Sequence, residues 1–168
     1  MKHLAFFSFL VLFLSSCLKY EQSKLLSLSG EYRVDKITYE KVDNSSSTTN
    51  YVYYPGDLYV NPNDIDVIDT IQVGFFRLHM DYSMIRFKPT QTQSGSTFWA
   101  KEYYYYVQGQ NTQYDLGYIV FDCDGTRRVW KIIDDGAESL VIRTSGQWEN
   151  GNAGANESVT IHLTRVGP

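Results

Sequence analysis

The last third of the chain constrains the fold most. Four runs of alternating character follow one another there, GYIVFDC, RRVWKII, ESLVIRTSG and SVTIHLTRV. The segments DCDGT, DDGAE and ENGNAGAN lie at their joins. Side chains alternate between faces along a strand, so a period of two interrupted by Asp-Gly is a hairpin signal. The joins are too short for the crossover that parallel strands need, which leaves an antiparallel meander. Within it, Asp122, Asp124 and Gly125 resemble the start of a calcium loop. Arg127, Arg128 and Val129 then stand where further oxygen ligands are required. A tight turn is the expectation for this stretch, and no cofactor or metal is expected in the chain.

The same pattern runs upstream. In SGEYRVDKITYEKV, Tyr32 and Val34 share a face, and Ile37 and Tyr39 resume it one residue out of phase. A one-residue slip inside a strand reads as a bulge. DNSSSTTN is a loop, YVYY and LYV are short strands around the turn PGD, and DVIDTIQVGFF holds one more. FFRLHMDYSMIRFKP reads as one long strand. Phe76, Leu78, Met80, Tyr82 and Met84 form its apolar face, Arg77, His79 and Asp81 its polar face, and a slip near Met84 returns Ile85 and Phe87 to the core. The count reaches eight to ten strands. The expected fold is therefore all-β, a barrel with a β-sandwich as the alternative.

Tyrosine is the compositional outlier, with 14 residues, all after position 19. Four of them are consecutive in KEYYYYV. Tyr103 and Tyr105 are in phase with Lys101 and Trp99, and Tyr104 and Tyr106 with Glu102. One pair can serve the core. The other is exposed or covered by a neighbour, and exposed aromatics stack on sugars or on partner proteins. Trp99, Tyr103, Tyr104, Tyr105 and Tyr106 are thus the candidate contact residues.

The first twenty residues, MKHLAFFSFLVLFLSSCLKY, have a different character. Lys2 and His3 precede a run from Leu4 to Leu14 that is apolar except for Ser8. That run is well short of the roughly 20 residues needed to span a bilayer as a helix. A basic start, a short apolar core and small residues before a cut site describe a secretory signal. Leu14, Ser15, Ser16 and Cys17 resemble the lipobox of bacterial lipoproteins. That resemblance implies cleavage after residue 16 and lipidation of Cys17, with palmitate-type chains as the anchor. Each buried methylene contributes about 0.8 kcal/mol, and stable attachment takes more than one chain.

Without residues 1–16, fourteen basic residues face nineteen acidic ones, a formal charge of −5. Such a domain lacks the basic footprint of a nucleic-acid binder. If Cys17 is lipidated, Cys123 has no partner for an intramolecular disulfide. Cys123 is in phase with Ile119 and Phe121 and is expected to face the core as a small hydrophobe. His79 and His162 sit on polar strand faces, and no Gly-x-Ser-x-Gly elbow accompanies them. The chain is expected to be non-catalytic.

LSGEYRV opening some 150 residues of meandering strands resembles the lipocalin-like barrels carried by many Bacteroidota lipoproteins. Gly30, Glu31 and Tyr32 match the Gly-x-aromatic start of the first strand in that family. Arg165 matches an arginine of the last strand that packs across the barrel bottom. The resemblance implies a signal peptide over 1–16, a lipidated cysteine and tether over 17–28, and a lipocalin-like domain over 29–168. It further implies an outer-membrane protein, with the periplasmic side favoured because only Glu21 supplies an acid just after Cys17. Asp69, Thr70 and Ile71 resemble a Bacteroidota O-glycosylation site. The expected function is non-catalytic binding of an envelope protein partner or a small apolar or glycan ligand. The alternatives are a structural accessory subunit of an outer-membrane complex and an envelope hydrolase.

Overall fold

The computed structural model describes residues 21–60, 70–88, 101–109, 116–123, 125–145 and 157–168. A helix, α1, covers 21–28. The strands are β1 (Gly30–Val42), β2 (Thr48–Tyr53), β3 (Leu58–Val60), β4 (Thr70–Gln72), β5 (Arg77–Met80), β6 (Met84–Lys88), β7 (Lys101–Gln108), β8 (Tyr118–Cys123), β9 (Thr126–Asp134), β10 (Ser139–Ser145) and β11 (Glu157–Gly167).

From β5 onward each strand pairs antiparallel with the next, and β11 and β5 both pair with β1. Eight strands thereby close into an antiparallel barrel of lipocalin-like architecture. That closure decides against the sandwich, which would leave two separate sheets. β2 is an extra strand on the far half of β1, where Thr38 faces Val52 and Lys41 faces Thr49.

The parity slip in β1 is a bulge. Asp35 and Lys36 are both half-buried in succession, while Val34 and Ile37 on either side are fully buried. Val34 pairs with Leu163 and Lys36 with His162, so Asp35 is the extra residue. Its carboxylate accepts from the Arg33 guanidinium. Burial pushes Asp35 up, but hydrogen bonds from Arg33 and Thr164 outweigh it and hold the carboxyl below its usual range.

The segment expected to be one long strand is a hairpin. β5 ends at Met80, and Met80 pairs back with Ile85 of β6. The Asp81 carboxylate accepts the Ser83 and Met84 amides at 3.1 and 2.8 Å, and the Asp81 amide donates to the Met84 carbonyl at 2.9 Å. An aspartate bonded to its own following backbone makes a turn without glycine or proline. Tyr82, assigned to the core face by its phase, stands exposed at the tip. The β8–β9 turn is the expected tight one. Cys123 pairs with Thr126, Gly125 takes φ +83°, and its amide reaches Asp122 Oδ1 at 3.0 Å.

A further correction concerns the tether. The part of it over 21–28 forms α1 and packs on the barrel, with Leu28 and Lys24 buried and Leu25 against the core. Lys24 pairs with Asp135 in the β9–β10 turn. The folded unit therefore starts before residue 29. An eight-residue helix is not stable alone, so it forms through this docking.

Candidate functional site

Aromatic side chains from several strands meet in the interior. Phe121 and Trp130 meet edge to face at 4.8 Å, and Phe87 lies 5.9 Å from each of them. Phe76 extends the cluster at 6.3 Å from Phe87, and Tyr103 lies 6.1 Å from Phe121. Aromatic pairs in such geometry add about 1 kcal/mol each beyond burial. The β3–β4 ribbon folds over the core and buries Tyr59, Ile71 and Val73. Between Val34, Ile71, Phe76, Phe87 and Trp130 about 10 Å³ of space remains. That is room for roughly one water, whereas pockets for drug-sized ligands start at about 300 Å³.

One end of the barrel is closed by α1, and the closure is built on Arg165. Its Nη1 donates to the Ser29 carbonyl at 2.8 Å, and its Nη2 donates to the Ser27 carbonyl at 2.6 Å and the Tyr32 hydroxyl at 2.7 Å. The guanidinium also lies 5.1 Å from the centre of the Tyr32 ring. The Tyr32 hydroxyl in turn donates to the Leu28 carbonyl at 2.9 Å. Burial pushes that hydroxyl up, and Arg165 opposes the shift. Ser27 Oγ bonds the Lys24 carbonyl at 2.8 Å, Ser29 Oγ the Leu25 carbonyl at 3.0 Å, and the Ser29 amide the Leu26 carbonyl at 3.2 Å. Every carbonyl from Lys24 to Leu28 thus has a donor at a helix end that lacks its own. A cation there also complements the helix dipole.

Gly30 is the one residue that fits this junction. Its φ is +150°, and a Cβ would stand 3.1 Å from the Gly167 carbonyl and 3.4 Å from Arg165 Nη1. The Gly-x-aromatic start thus has a steric cause at Gly30 and a hydrogen-bonding one at Tyr32.

The four tyrosines divide by parity. Tyr105 is buried and Tyr103 packs on the core. Tyr104 is 78 % exposed and Tyr106 49 % exposed on the outer face. Arg127 donates to the Tyr106 hydroxyl and to Gln108 Oε1, both at 3.0 Å. The result is an outward-facing Tyr-Tyr-Arg-Gln surface on β7 and β9. Arg127 was not marked from the sequence as a contact residue, because the β7–β8 register that sets Tyr106 and Gln108 near it has no local signal.

Cys17 and Trp99 lie outside the described residues, as do Asp69 and Asp124 and the side chain of Cys123. His162 is half-buried beside Lys36, and burial first and then Lys36 push its imidazole below the usual value. His79 sits on another strand, in register with Glu31 and Arg86. No cluster of three metal-ligating side chains is present among the described residues. No helix of the described residues is long and apolar enough to cross a membrane. Compared with known proteins, this chain matches no family model, no curated protein and no solved structure.

Proposed function

We propose that this protein is a lipid-anchored lipoprotein of the bacterial envelope. It is attached to the outer membrane through Cys17, with the domain on the periplasmic side, and it acts without catalysis by docking an envelope protein on the outer surface of its barrel. The observation that carries the choice of surface is the tight packing of the core. The space between Val34, Ile71, Phe76, Phe87 and Trp130 comes to about 10 Å³, far below what a small apolar or glycan ligand of ordinary size needs, which favours an outer surface. What faces outward instead is Tyr104 and Tyr106 with Arg127, residue types enriched where proteins meet.

The test is photo-crosslinking in intact cells from a reactive amino acid at position 104, with fatty-acid and oligosaccharide titrations of the purified domain alongside. A single discrete adduct, weakened at least tenfold by Tyr106→Ser with Arg127→Ala, is expected, and no saturable small-ligand binding. Stoichiometric fatty-acid binding, or a crosslinking pattern indifferent to those substitutions, would overturn the reading. Palmitate-analogue labelling of whole cells tests the anchor, and label surviving Cys17→Ala would remove it.

A further inference from the structure

We infer that the end of the barrel closed by α1 is a membrane-facing surface that rests on zwitterionic phospholipid. The inference deepens the lipoprotein reading and depends on it. Cys17 precedes α1 by four residues. Four residues reach about 14 Å at full extension. The helix they lead into is no free tether. It is clamped by Lys24 to Asp135 and, through its carbonyl end, by Arg165. An anchor on Cys17 therefore holds this particular end of the domain at the lipid. β1 alone runs 13 residues away from that end, about 40 Å at strand rise, which puts its far turn beyond the anchor's reach.

The same end carries exposed apolar side chains from three separate segments. Leu26 of α1 is 63 % exposed, Tyr82 in the β5–β6 turn 47 %, and Val166 near the end of β11 45 %. Register places them together at this end. Gly30 faces Met80, next to the Tyr82 turn, and Glu31 faces Gly167, next to Val166. Tyrosine is enriched at the headgroup level of bilayers, where its apolar ring and polar hydroxyl are both accommodated. Among the described residues, two cations of this end are engaged within the protein, Lys24 on Asp135 and Arg165 on α1 and Tyr32. Asp134 and Glu138 are exposed on its rim. Such a surface repels anionic headgroups and suits zwitterionic ones.

The experiment uses the full chain, acylated in a bacterial host and reconstituted in phosphatidylcholine vesicles. An environment-sensitive fluorophore is attached through Leu26→Cys, Tyr82→Cys or Asn44→Cys, each in a Cys123→Ser background. Asn44 lies in the turn between β1 and β2, at the opposite end. Iodide quenching at positions 26 and 82 should fall about threefold on reconstitution, with quenching by headgroup spin labels, while position 44 stays unchanged. A flexible insert of about eight residues after Tyr20 should restore iodide access at 26 while vesicle flotation persists. Equal access at 26, 82 and 44 on floating vesicles would overturn the orientation and leave the anchor standing. Protection that survives the insert would overturn the reach argument. Failure of the wild type to float, or flotation unchanged by Cys17→Ala, would remove the anchor and this inference with it.

Discussion

Replacing Arg165 by Met keeps most of the side-chain volume and removes all three hydrogen bonds of the α1 clamp. Hydrogen bonds from a charged donor contribute about 1.5–3 kcal/mol each. Two factors reduce their sum here. The contact to Ser27 is solvent-exposed, so water replaces much of it, and the Tyr32 hydroxyl keeps its bond to the Leu28 carbonyl. The Ser29 contact is partly buried and loses most. The cation over the Tyr32 ring adds about 0.5–1 kcal/mol. The expected loss is about 3 kcal/mol, which for a domain of this size lowers Tm by about 9 °C. Arg165→Lys should recover little, since a point ammonium on a flexible stem cannot reach three acceptors at fork geometry. The assay is urea unfolding of the mature chain followed by far-ultraviolet circular dichroism. Hydrogen exchange on the amides of residues 21–28 runs in parallel. Both substitutions should accelerate that exchange before global unfolding, because the clamp holds α1 and not the barrel strands. A change under about 0.5 kcal/mol in Arg165→Met, or a lysine variant as stable as the wild type, would refute the reasoning.

Four further outcomes are expected. Gly30→Ala should cost about 2 kcal/mol in the same urea titrations, since the new Cβ meets the Gly167 carbonyl at a φ that alanine avoids. Asp81→Ala, which strips both turn amides of their acceptor and ends the 3.0 Å pair with Arg86, should cost about 1 kcal/mol. Tyr105→Phe should leave stability unchanged or raise it by up to about 1 kcal/mol, because the buried hydroxyl has no hydrogen-bond partner among the described residues. His162 titrates below its usual value of 6.5 in the fold, so below pH 6.5 the unfolded chain binds more protons. Its contribution is full above 6.5 and falls as pH drops toward the folded value. His162→Gln should flatten that part of the stability profile, and imidazole proton shifts should report the low value directly.

Much of the barrel was legible because strand parity is a local signal. Ile119 and Phe121 read inward, the four tyrosines split into two pairs on opposite faces, and even the Asp35 bulge appeared as two polar residues in a row. Legibility ended where partners are distant. The sequence around Lys24–Leu28 allows a helical turn but does not announce a docked helix, since its stability comes from Asp135 and Arg165, 111 and 136 residues away in pairing distance. Asp81 concealed a hairpin because an aspartate turn followed by Tyr and Ser lacks glycine and keeps the apolar phase almost intact. For the site, parity separated Tyr103 and Tyr105 from Tyr104 and Tyr106, and burial in the fold decided which pair faces outward. Parity could not show that Ile71 enters the core, because that residue comes from the β3–β4 ribbon, outside the barrel wall.

Closure of β11 on β1 has a consequence for biogenesis. Tyr39 pairs with Val159, so the seam joins residues 120 positions apart. No other strand can substitute, because the opposite edge of β1 is taken by β5 and β2. A chain that emerges from its N-terminus during synthesis exposes β1 first and delivers its mate last. During that interval one edge of β1 carries unpaired amides and carbonyls, the state from which strands aggregate. Such distant pairing also slows folding, since loop closure precedes its reward. Slow, late-sealing intermediates are therefore built into this topology, and a chaperone that shields an open strand edge is the class of helper it calls for.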